Sequence, residues 1–128
     1  MTDGPAVADG VLLQNLLVDG RRQEIGYRIY DDGRFERRAA GKPWASGPTL
    51  TPERVQRVRS AIGAAGIERL ESRYEPTTPP NPDANTVVLH LHAAVNGAAH
   101  DVAVVPPCKV PAVDALIARV DEVLKEIW

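Results

Sequence analysis

Cysteine is nearly absent from this chain: Cys108 stands alone among 128 residues. One cysteine cannot close an internal disulfide, so the fold needs no oxidising compartment. Aromatic residues are also scarce, at 5%, with two tryptophans, three tyrosines and one phenylalanine. Charge of either sign is not in excess: 15 basic residues meet 17 acidic ones, for a net charge of -2. A dedicated nucleic-acid binder concentrates Lys and Arg on one surface, and this balance excludes that class. No apolar run approaches the ~20 residues that span a bilayer. The first ten residues, MTDGPAVADG, lack the basic start of a secretory signal. The reading is therefore a cytoplasmic protein with no membrane partner. Absent too are a Gly-rich phosphate loop, a G-x-S-x-G elbow and a Cys-x-x-Cys pair.

What is present suffices for one ordinary domain, which can bury a core without staples. Residues 1–9 read as a disordered lead-in and 10–128 as a single α+β domain. VLLQNLLV reads as a strand, and Asp19-Gly20 after it as a two-residue hairpin turn. EIGYRIY alternates as a half-buried strand does, then returns through Asp31-Asp32-Gly33 as RFERR. A three-residue loop pairing Ile29 with Phe35 keeps both on one face. Thr51-Pro52-Glu53 marks a helix start, with Leu50 and Val55 placed for a hydrophobic staple and Gly66 for the stop. Its inward stripe is Val55, Val58, Ile62 and Ala65. Pro76 to Pro82 excludes regular structure. Val87 to Val105 then forms a hairpin with Asn96-Gly97 at its tip. Pro111 opens a last helix with the stripe Val113, Leu116, Ile117, Val120, Leu124 and Ile127. The order is β-β-β-α-β-β-α. This predicts two layers, a four- or five-stranded antiparallel sheet with two helices on one face.

The hairpin carries all three histidines. A two-residue turn puts Val87, Leu89 and Leu91 on the core face with Val102 and Val104. Val88, His90 and His92 then share the other face with Asp101 and Ala103, and His92 lies across from Asp101. His-x-His with a carboxylate is a donor set for zinc or iron, so His90, His92 and Asp101 are the candidate metal ligands. The competing reading is a solvated hairpin face with one cross-strand polar pair. Cys108 precedes the last helix beside Lys109, where a thiolate is favoured. No local base accompanies it, and a small, mostly buried cysteine at a strand–helix junction satisfies the same pattern. Asp31 and Asp32 are explained by turn chemistry. Trp44, in GKPWASG, is either a lid on the sheet or an exposed anchor.

The segment PNPDANTVVLHLHAAVNGAAHDVAVV, a proline break and then PAVDALIARVDEVL together resemble the emfourin-like proteins. These are small bacterial α+β domains that include inhibitors of thermolysin-type metallopeptidases. The shared features are Pro-Asp before a strand, a Gly-tipped hairpin and a closing helix with Pro at its start. The strand VLLQNLLV and the proline-rich loop depart from that pattern. The resemblance implies a non-catalytic protein-binding module, either an accessory subunit or a peptidase-inhibitor-like protein, with no cofactor. Its partner is another protein or a second copy of itself. The expected contact residues are Trp44, Tyr30, Val88 and Val105, on the open sheet face and its loop, with strand addition at an edge as one mode.

Overall fold

The computed structural model describes residues 7–77, 86–125 and 127. Most of the lead-in, most of the proline-rich segment and Trp128 lie outside them. The elements run β1 (Val11–Val18), β2 (Glu24–Tyr30), β3 (Phe35–Arg38), β4 (Ala45–Ser46), α1 (Pro52–Ala65), β5 (Arg73–Tyr74), β6 (Val88–Val95), β7 (Ala98–Val104) and α2 (Pro111–Leu124). A single 3-10 turn, Ile67–Arg69, follows α1. The fold is α+β with two helices, but the sheet is larger than the four or five antiparallel strands expected. It has seven strands in the order β4-β3-β2-β1-β6-β7-β5. It is also mixed, because β5 runs parallel to β7.

The two added strands have two residues each, too few to display alternation in a sequence. They form because the backbone finds partners. Gly47 N donates to Phe35 O at 2.8 Å beside β4, and a Cβ on Gly47 would stand 2.7 Å from the Phe35 ring. Only glycine admits that approach. At the other edge, Ala103 N donates to Ser72 O and Val105 N to Tyr74 O.

The β1–β2–β3 meander follows the expected register, with Ile29 opposite Phe35. Its first turn does not. Asp19-Gly20 opens a three-residue loop, Gly20 to Arg22, closed by Asp19 N donating to Gln23 O at 3.1 Å. Asp19 Oδ1 accepts hydrogen bonds from Arg21 N at 2.9 Å and Gln23 N at 3.0 Å. An aspartate that satisfies two backbone donors outweighs the glycine signal, and Arg22 takes the left-handed position at φ 65. The second hairpin turns on Asn96-Gly97, both at positive φ, the arrangement a two-residue turn demands.

Helix α1 begins as its sequence requires. Thr51 Oγ1 accepts from Arg54 N at 3.3 Å, and Leu50 and Val55 are both buried. Helix α2 starts at Pro111 with no side-chain cap. Its buried stripe is Val113, Leu116, Val120, Val123 and Leu124. Both helices share one core with Leu13, Tyr27, Ile29, Phe35, Leu91, Ala93 and Val102. Register makes these strand residues one face of the sheet, the helix face. Among the described residues no helix is long and apolar enough to cross a membrane.

Candidate functional site

The opposite face is built by the alternate residues of the same strands. His92 lies in register between Gln14 of β1 and Asp101 of β7, and His90 between Leu16 and Ala103. His92 Nδ1 stands 2.8 Å from Asp101 Oδ1. The imidazole is 13% exposed and the carboxylate 73%, so the pair has one foot in solvent. His90 is one pair further along the same face. His100 falls on the helix face, paired with Ala93. Among the described residues, no group of three or more His, Cys, Asp and Glu side chains is placed to hold a metal ion. His92 and Asp101 meet; His90 does not complete a set with them. His92 also borders a groove of about 820 Å³ at the end of the sheet where β1 and β6 part, beyond their last pair Leu13–Ala93.

Further across this face lies a stack of cations and rings. The Arg28 guanidinium sits 3.9 Å from the Trp44 ring centroid and 5.5 Å from that of Tyr30. Arg34 covers Tyr30 at 4.1 Å. Arg28 Nε donates to Glu36 Oε1 at 2.6 Å, and Tyr30 Oη donates to the same oxygen at 2.8 Å. Arg38 pairs with Glu24 at 2.7 Å. Trp44 is therefore a half-buried lid over the sheet. Burial, and then the bond to Glu36, hold the Tyr30 phenol above its ordinary range. Burial alone would raise Glu36, but the bonds from Arg28 and Tyr30 outweigh it and hold its carboxyl below the usual range.

This changes where a partner could touch. Tyr30 and Val105 were expected on an open surface, yet each is only 6% exposed. Tyr30 is covered by the arginines that stack on it, and Val105 is drawn in by its bond to Tyr74. Val88 is half-buried opposite Val18. Each sheet edge ends in a two-residue strand with a proline within two residues of it, which resists strand addition there, while residues 98–102 of β7 have no ladder partner on their outer side among the described residues.

The exposed apolar surface lies instead on the helix face, at its far end. Leu17 is 42% exposed, Ile25 51% and Val87 37%. Register places Leu17 between Ile25 and Leu89, with Val87 two residues before Leu89 on the same face. Val87 was expected in the core with Leu89 and Leu91. Leu91 and Val102 are buried as expected, but Val87 is not. A dent of about 370 Å³ adjoins this patch, between the strands and the start of α2. Cys108 lines it, half-buried, with its backbone N donating to Val105 O at 3.0 Å.

The signal that could have found this patch is length. A 14-residue helix reaches about 21 Å, whereas an eight-residue strand reaches about 26 Å. One end of the sheet thus outruns its cover. Comparison with known proteins places the chain beside none of them: no protein-family model, no curated protein and no solved structure matches it.

Proposed function

We propose that this chain is a non-catalytic protein-binding module, an accessory subunit or a peptidase-inhibitor-like protein, that binds through the bare end of its helix face. The observation that carries this reading is the contiguous trio Leu17, Ile25 and Val87 beside an apolar dent. Single exposed apolar residues are ordinary; neighbours on one face with a hollow between them mark a contact surface. The opposite face supports the same reading by contrast. Its arginines and acids are already matched to one another, which leaves few groups for an outside ligand.

The test is a pull-down from lysate of the source cells with tagged wild type and with a Leu17→Asp/Ile25→Asp variant. A protein retained by the wild type and lost with the variant, whose circular dichroism is unchanged, is the expected result. Equal recovery with both baits would remove the patch from the account.

A further inference from the structure

We infer that the outer edge of β7, from Ala98 to Asp101, takes up an extended basic peptide segment of another protein as an added antiparallel strand. This surface is separate from the apolar patch, and the reading of that patch does not carry it. Residues of a strand aim their backbone groups alternately to either side. Ala103 N donates outward to Ser72 O, and Val105 N to Tyr74 O. Ala99 and Asp101 keep the same alternation, so their N–H and C=O groups also point away from β6. Beside Ala103 and Val104 that lane is filled by β5. Beside Ala99 and Asp101 it holds no backbone partner among the described residues. Ala98, Ala99 and Asp101 are all exposed. An unpaired row of donors and acceptors is matched by another extended backbone. An antiparallel strand would exchange both bonds with Ala99 and both with Asp101.

Register decides against a second copy of this chain as the occupant. Setting Ala99 against Asp101 of a second β7 brings Gly97 of that copy opposite Ala103, where Arg73 already lies. Setting Ala99 against Ala99 puts Asp101 opposite Gly97, in the turn, and leaves a single bonded pair. A separate segment carries no turn at that point and leaves the sheet before Ser72. Charge gives its chemistry. Ala99 borders the groove at the end of the sheet, which carries Asp9, Asp31 and Glu68 against one cation, Arg59. Glu71 stands just before Ser72, with Arg69 two residues earlier, and Asp101 is 73% exposed. Acids outnumber bases around this edge, and opposite charges across strands stabilise their pairing. The occupant therefore carries Lys or Arg on the side of Asp101. On the other side His100 is half-buried, and a β-branched residue suits that position of an added strand.

The test is an amide NMR titration of the full chain with the peptide acetyl-Thr-Lys-Val-Lys-Val-Thr-amide. In the free chain the Ala99 and Asp101 amides are expected to exchange fast with solvent. The peptide then shifts and protects both, with a dissociation constant on the order of 1 mM. Backbone N-methylation of its two lysines removes the donors that face β7 and weakens binding on the order of tenfold or more. Glutamates in place of the lysines weaken it as well, and Asp101→Lys reverses that preference. Ala99 and Asp101 amides already protected in the free monomer overturn the inference, because the chain then covers its own edge. Protection that grows with chain concentration gives the edge to a second copy and overturns it too. So do an absence of shifts at about 10 mM peptide and equal binding of the N-methylated peptide. Equal binding of the lysine and glutamate peptides overturns the basic character of the occupant. Leu17→Asp/Ile25→Asp is expected to bind the peptide as the wild type does, so a failed pull-down and a failed titration strike different surfaces.

Discussion

Leu13 and Leu17 lie on the same strand and the same face, four residues apart, yet Leu13 is fully buried and Leu17 is 42% exposed. Sequence pattern does not distinguish them, since each is a leucine in the same alternation. The difference is made by what lies above. Leu13 belongs to the core that both helices close; Leu17 lies outside it. The opposite face solves the same problem without helices. Leu16 is fully buried there and lies outside the helix-side core. It pairs with Gly26 and His90, on a face paved by arginines and Trp44. The sheet thus has three regimes: apolar cover and a bare end on the helix face, and polar paving on the other.

The largest effect should come from testing the two leucines against each other. Leu13→Ala opens a cavity in the centre of the core and should cost about 3 kcal/mol in urea unfolding. Leu17→Ala should change stability by less than about 0.5 kcal/mol in the dilute chain. Similar losses at the two positions would mean that the far end is covered after all.

Next in size is the polar paving. Arg28→Ala removes the donor to Glu36, the cation over Trp44 and part of the cover on Tyr30. The cost should be about 2 kcal/mol, since a half-buried carboxylate loses its charged partner. In a Trp128→Phe background, the fluorescence of Trp44 should shift to the red as its stack is lost. A pH series sharpens this. The folded Glu36 carboxyl titrates below its ordinary value, so its contribution is present above that value and lost as pH falls through the folded one. Glu36→Gln should flatten the acid limb of the stability curve relative to wild type. An acid limb that keeps its slope would show that Glu36 is not its source.

A smaller effect of opposite sign belongs to the apolar cover. Desolvation raises the Asp121 carboxyl on α2, against a smaller lowering by the Tyr27 hydroxyl. Burial, first among the causes, raises the Tyr27 phenol as well. A raised acid contributes stability at low pH that is lost as pH rises through its folded value. Asp121→Asn should therefore be more stable than wild type at neutral pH. That gain should shrink as pH falls through the folded Asp121 titration. A gain independent of pH would assign it to something other than this charge.

Much of this was legible in the sequence, and for physical reasons. The caps of α1 are local chemistry, as is the Asn96-Gly97 turn, and the hairpin register follows from that turn. The pairing of His92 with Asp101 was readable on the same ground. The strands β4 and β5 were not, because two residues carry no period and β5 finds its partner in β7, beyond β6. The burial of Tyr30 and Val105 was hidden too. It depends on Arg28 and Arg34 folding over the Tyr30 ring from β2 and its turn, and on Tyr74 reaching Val105 from another strand. Leu17, Ile25 and Val87 were hidden most of all, because alternation assigns a face but not what covers it.

His92 and Asp101 set the smallest effect, and their smallness is informative. Asp101 is 73% exposed, so water competes for its charge and the pair is worth about 0.5 kcal/mol at most. Asp101→Asn should leave the unfolding midpoint almost unchanged. A metal site on this hairpin would behave differently, because bound zinc or iron adds its binding free energy to folding. Added zinc would then raise the melting temperature of the wild type, and His90→Ala or Asp101→Asn would abolish the rise. The geometry brings two donors together and leaves His90 opposite Ala103, so the expected melting temperature is the same with and without zinc or ferrous iron. A metal-dependent rise lost in His90→Ala would move the working surface of this protein from the bare apolar end to the polar face.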